Sequence, residues 1–180
     1  FIHFDTDVLI YKPYESLKTC FKENKLNITP ADENRLIFGY SFIDGIENLS
    51  LICEKVLQVL KNAKHYEDNY YFGNKLNEMV VLNIVYIENP HLFNLLDTIP
   101  KLNTEVIFDG MSYGQYLSGV DKKIFSKKYL NEAHYSGRAM LEKGFRPKYS
   151  NNGPYINFEE RQIEIANLHI HKKNLKKFVQ

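Results

Sequence analysis

The sequence predicts one α/β domain over residues 1–180. Three observations predict it. Short apolar, β-branched and aromatic runs of strand length alternate with longer segments of helical periodicity. A chain of 180 residues with 44% hydrophobic and 14% aromatic content is long enough to bury a core of its own. No internal repeat, low-complexity stretch or clear linker divides it.

The elements follow in order. Ile2, Phe4 and the run 8–11 read as strand on either side of Asp5-Thr6-Asp7, and Lys12-Pro13 breaks the pattern. "LNITPADENR" (26–35) reads as a polar turn region. "RLIFGYSFI" (35–43) is rich in aromatic and β-branched residues and predicts a strand. In residues 47–66 the apolar positions Leu49, Ile52, Val56, Leu57 and Leu60 have helical spacing, with Asn48 or Ser50 as caps. A second helix is expected over residues 73–90, stopped by Pro90, and a short helical or turn segment over 91–100. "TEVIFDG" (104–110) reads as a strand ending on Asp109-Gly110, and residues 112–121 as a short helix. Residues 144–171 predict strands around an Asn-Asn-Gly turn, and a basic tail closes the chain. The chain lacks an initiator Met and begins inside an apparent strand, so it is expected to be a piece of a longer protein.

Composition narrows the function. Lys and Arg number 23 against 22 Asp and Glu, which argues against a broad nucleic-acid-binding face. Cys20 and Cys53 are far apart, so neither a disulfide scaffold nor a cysteine zinc site is expected, and a reducing compartment fits. No run reaches the ~18 apolar residues of a membrane span, and no signal peptide is recognisable. The expected location is cytoplasmic.

Two carboxylates separated by one residue between apolar runs raise the question of their partner. A buried unpaired carboxylate costs several kcal/mol, and a divalent cation is one partner that removes this cost. Mg²⁺ and Mn²⁺ favour carboxylate oxygens and keep open positions for water or phosphate, which makes Asp5 and Asp7 candidate metal ligands. The alternative is a solvated turn. In "NLHIH" a strand would turn His169 and His171 to one face and Leu168 and Ile170 to the other. Imidazole from either histidine would complete such a site; half-exposed histidines on a strand edge are the alternative. Lys172 and Lys173 follow at once and are placed to neutralise a diphosphate, while Lys176 and Lys177 fit a solvated helix. Glu78, at the start of the second helix, and Asp109, at a strand end, are candidate general bases or sugar-hydroxyl ligands. A dipole-favoured acid and a turn residue are their alternatives. His3, His65, His91 and His134 fit no pattern and read as structural.

Strand, Asp-x-Asp, strand, then an acidic helix start and a late His-Lys segment resemble the nucleotide-sugar glycosyltransferases of the GT-A fold. "FDGMSYGQYLSG" and "NLHIHKKNLKKF" are similar to segments of bacterial and large-virus enzymes of the surface-polysaccharide type. The resemblance spans nearly all of the chain. It implies Mn²⁺ or Mg²⁺ held by Asp5 and Asp7, with His169 or His171 as a further ligand. It also implies Lys172 or Lys173 and Thr6 at the donor, a nucleoside-diphosphate sugar. "NEMVVLN" is similar to a helix start that touches a sugar through Glu78, and Asp109 and Gln115 would face the sugars. The implied activity is sugar transfer to a glycan or other hydroxyl acceptor. The implied fold is a GT-A-like, Rossmann-like mixed sheet flanked by helices. The segment that precedes the D-x-D in such enzymes and forms most of the nucleotide site is not in this sequence, so the N-terminal nucleotide-binding half is expected to be missing. Two rivals stand beside this reading. A haloacid-dehalogenase-like phosphohydrolase also uses a strand and D-x-D, but its later acidic pair has no counterpart after a strong apolar run here. A non-catalytic carbohydrate-binding domain would suit the 13 tyrosines.

Overall fold

The computed structural model of the chain describes residues 1–70, 75–119 and 128–170. It is a mixed α/β fold. The elements are β1 (Ile2–Phe4), β2 (Val8–Ile10), α1 (Tyr14–Leu17), β3 (Leu26–Asp32) and β4 (Arg35–Ile43). There follow α2 (Ile46–Lys61), α3 (Ala63–Asn69), α4 (Glu78–Glu88), β5 (Phe93–Leu95) and β6 (Val106–Ile107). The chain continues through α5 (Tyr113–Ser118), α6 (Tyr135–Lys143), β7 (Pro147–Ser150), β8 (Gly153–Phe158), β9 (Arg161–Ile165) and β10 (Asn167–His169).

The strands form three sheets, ordered β1-β4-β3-β5, β10-β2 and β6-β9-β8-β7. Pairing is antiparallel except for β3 with β5 and β6 with β9. The first core lies between the first sheet and α2 and α4, with Leu26, Ile28, Leu36, Ile52, Val59, Val81 and Val85 buried in it. A second core holds Ile107, Tyr113, Met140, Ile156, Ile163, Ile165, Leu168 and Ile170. A smaller one, with Val8, Leu17, Tyr40, Leu96, Phe108 and Ala166, lies among elements of all three sheets. Among the described residues no helix is long and apolar enough to cross a membrane.

The strand expected at 35–43 is β4, with those bounds. The polar turn expected at 26–35 is instead strand β3, almost wholly buried, followed by a tight hairpin at Glu33-Asn34. Its polar residues are satisfied inside the fold. Asn27 Oδ1 accepts from the Lys22 N–H (2.7 Å) and from Asn94 Nδ2 (2.7 Å), and its Nδ2 donates to the carbonyls of Lys22, Lys25 and Phe42. Pro30, which has no N–H to offer the ladder, stands beside a register shift between β3 and β4. The long helix expected over 47–66 breaks at Asn62, whose side chain donates to the Gln58 carbonyl, and resumes as α3. The helix expected from 73 begins at Glu78, where the Asn77 side chain caps the Val80 N–H. Part of the segment 91–100 is strand β5, parallel to β3. Helix α6 was not foreseen; it ends at Gly144 in the left-handed conformation (φ 75°).

One irregularity positions the site. Between the pairs Asn27↔Phe42 and Thr29↔Ile37, β3 advances two residues while β4 advances five. The extra residues bulge away from β3 yet stay paired to β1, through His3↔Ser41 and Phe4↔Tyr40. The Gly39 carbonyl then accepts from the Asp5 N–H at 2.9 Å. The bulge thus carries Gly39 to the acidic turn.

Candidate metal centre

The turn Asp5-Thr6-Asp7 joins β1 to β2. The Val8 N–H closes it on the Asp5 carbonyl (3.1 Å). Strand β10 pairs antiparallel with β2, placing His169 opposite Val8, and the Ile170 N–H donates to the Asp7 carbonyl (2.7 Å). Leu168 and Ile170 are buried in the second core, which anchors the strand. The opposite face therefore brings the His169 ring to the acidic turn, with Nε2 3.2 Å from Asp7 Oδ1. Asp5, Asp7 and His169 each offer a ligand atom, and these atoms all lie within 4.8 Å of one another.

These residues fit a hard divalent cation of borderline character. With ligand bonds of about 2.1 Å, octahedral ligands stand about 3.0 Å apart when adjacent and about 4.2 Å when opposite. The 3.2 Å between His169 Nε2 and Asp7 Oδ1 is close to the adjacent spacing, and Asp5 lies within side-chain reach of the same point. Two carboxylates and one imidazole suit Mn²⁺ as well as Mg²⁺. His169 is buried, Asp7 half-buried and Asp5 exposed, so one side of the group is open to a substrate.

Gly39 makes room for it. A Cβ there would stand 2.9 Å from His169 Cε1, 3.0 Å from Nδ1 and 3.2 Å from Asp5 Oδ2. No side chain fits at that point without displacing the imidazole.

Asp109 is fully engaged. Its Oδ1 accepts from the N–H groups of Ser112 and Tyr113 (both 2.8 Å), and its Oδ2 from those of Gly114 (2.7 Å) and His169 (2.9 Å). Burial raises its pKa overall, and the N–H donors of His169, Gly114 and Tyr113 and the nearby imidazole oppose that rise. Four N–H donors suit a group that accepts on both oxygens, since a protonated carboxyl would set its own O–H against one of them. Both oxygens are doubly occupied by N–H donors, so in this arrangement the carboxylate expected as a base serves a positioning role: it ties the first turn of α5 to the backbone of His169. Gly114 permits this approach, since a Cβ there would overlap the His169 carbonyl.

The other expected residues are placed as follows. Thr6 is exposed in the acidic turn. Gln115 is buried in α5, and its Oε1 has no hydrogen-bond partner among the described residues. Glu78 is exposed on the first turn of α4, on the wall of an apolar groove with Leu49, Ile52 and Val56, and is not brought into the Asp5–Asp7–His169 group. His171, Lys172 and Lys173 lie outside the described residues. Sequence reasoning missed His3, whose Nε2 is 3.2 Å from Asp5 Oδ1, and Gly39. The strand alternation that puts His3 and Asp5 on one side was a usable signal for the first. No signal existed for the second, which depends on the bulge.

No family model, curated protein or solved structure matches the chain.

Proposed function

We propose that this chain is a metal-dependent glycosyltransferase domain that moves a sugar from a nucleoside-diphosphate sugar to a hydroxyl of a glycan or other acceptor. One observation carries the reading. Residues far apart in the sequence, Asp5 and Asp7 on one side and His169 on the other, converge into a single open group whose ligand atoms could hold one cation. This is the pairing of an early D-x-D with a late histidine that the resemblance to GT-A enzymes implies.

Asp5, Asp7 and His169 would hold Mn²⁺ or Mg²⁺, which when bound supplies charge stabilisation for a departing diphosphate. The chain's own residues do the remaining work. Buried His169 and half-buried Asp7 fix one side, while exposed Asp5 leaves the other side for donor phosphate oxygens. Asp109 fixes the backbone of His169 through its N–H. Lys172 and Lys173, next in sequence after the histidines, supply positive charge for the diphosphate. With Asp109 committed and Glu78 on a separate groove, an inverting reaction would need its base from elsewhere.

Thermal unfolding with Mn²⁺, with UDP and with both tests this. A ligand present at one hundred times its Kd stabilises the native state by about 2.7 kcal/mol, which for a chain of this size is roughly 5–11 °C in Tm. The expected result is a cooperative rise with Mn²⁺ and UDP together that Asp7→Asn abolishes. Sugar binding that survives chelation would replace the reading with a carbohydrate-binding domain. A trapped aspartyl phosphate would replace it with a phosphohydrolase.

A further inference from the structure

We infer that His3 is the positioning residue of Asp5: it holds Oδ1 of that carboxylate and turns Oδ2 to the cation. This rests on the reading of Asp5, Asp7 and His169 as a cation site. His3 and Asp5 lie on the same side of the chain, two residues apart, and His3 Nε2 is 3.2 Å from Asp5 Oδ1. A carboxylate carries no proton, so the imidazole N–H donates.

The other oxygen, Oδ2, is the one that approaches Gly39 and the His169 ring: it stands 3.2 Å from the position a Gly39 Cβ would take, and His169 Nδ1 stands 3.0 Å from the same position. The two oxygens are thereby divided between an outer partner and the site. Asp5 needs such a partner because it is exposed on a turn, and an unrestrained side chain would lose rotamer freedom on binding the ion.

His3 is itself held. Its backbone pairs with Ser41 on the bulged strand, and its ring packs on Phe38 with centroids 4.4 Å apart. The order of support runs from β4 through Phe38 to His3 and then to Asp5. An outer imidazole donating to a ligating carboxylate is a recognised way to orient a metal ligand, and losing such a partner typically weakens metal affinity about 10–100-fold.

The test is Mn²⁺ titration, followed by the electron paramagnetic resonance of the free ion and by calorimetry. The proteins are the wild type, Asp7→Asn, His3→Phe, which keeps a ring on Phe38, and His3→Gln, which keeps a side-chain N–H donor. His3→Phe is expected to weaken Mn²⁺ about 10–100-fold, with His3→Gln recovering most of the loss. Electron spin echo modulation is expected to show one coordinated imidazole nitrogen in both the wild type and His3→Phe.

An unchanged Kd in His3→Phe, with binding lost in Asp7→Asn, overturns the role of His3 alone. A second coordinated nitrogen that disappears in His3→Phe would make His3 a ligand and also overturns it. Absence of saturable Mn²⁺ binding by the wild type, or binding indifferent to Asp7→Asn, overturns the cation site and the role of His3 with it.

Discussion

Replacing Asp109 by Asn separates a structural carboxylate from a chemical one. The side chain keeps its shape, but one oxygen becomes an NH₂ group. Whichever way the amide is turned, two of the four N–H donors are left unanswered: those of Ser112 and Tyr113, or those of Gly114 and His169. The NH₂ hydrogens then point at those same donors. A hydrogen bond to a charged group contributes about 1.5–3 kcal/mol, so two lost bonds cost about 3–6 kcal/mol. In a chain of this length each kcal/mol shifts Tm by about 2–4 °C, which predicts a fall of roughly 6–24 °C. Circular dichroism melts read this directly. Amide exchange would also show lost protection at Gly114 and His169 if the amide turns its NH₂ toward them. Asp109→Asn with a Tm within about 2 °C of wild type and sugar transfer abolished would refute the positioning role and restore Asp109 as a reacting group.

Two further outcomes are expected. Gly39→Ala sets a methyl group 2.9 Å from His169 Cε1; it should weaken Mn²⁺ by about tenfold or more with the secondary structure retained. Equal Mn²⁺ affinity by calorimetry would show that the imidazole does not need its observed place. Tyr66 donates to Glu88 Oε1 (2.7 Å), and its phenol is pushed up to about 12 by that bond and by burial. The bond therefore stabilises the fold fully below the ordinary tyrosine pKa of about 10, and the contribution is lost as pH rises through about 12. Difference titration at alkaline pH between wild type and Tyr66→Phe isolates this phenol, and Glu88→Gln should move it back toward its ordinary value.

The residues of the Asp5–Asp7–His169 group were legible because they are written in local spacing. Asp5 and Asp7 are two residues apart, and the alternation around His169 correctly paired an imidazole with buried Leu168 and Ile170. Strand β4 was legible for the same reason, through its aromatic and branched residues. Strand β3 was not, because Asn27 and Thr29 look solvated in one dimension and are satisfied only by partners such as Lys22, Asn94 and Tyr40. Asp109 was noticed as a candidate base, while its four N–H bonds were not foreseen. Asp-Gly after a strand does not disclose that the N–H of a residue 60 positions away will meet the carboxylate. Gly39 was invisible because its meaning lies in the register between β1 and a bulged β4, whereas His3 could have been found from its alternation with Asp5.

The span between Asp5 and His169 has a consequence for how the chain reaches its native state. Contacts between distant residues carry a large closure entropy and tend to form after local ones. A cation bridging the acidic turn to β10 would act as a removable cross-link between two segments far apart in the sequence. It would bind only once β1, the bulged β4 and β10 had met, and would lose its grip when either segment frayed. Cation occupancy would then report that the two segments are joined.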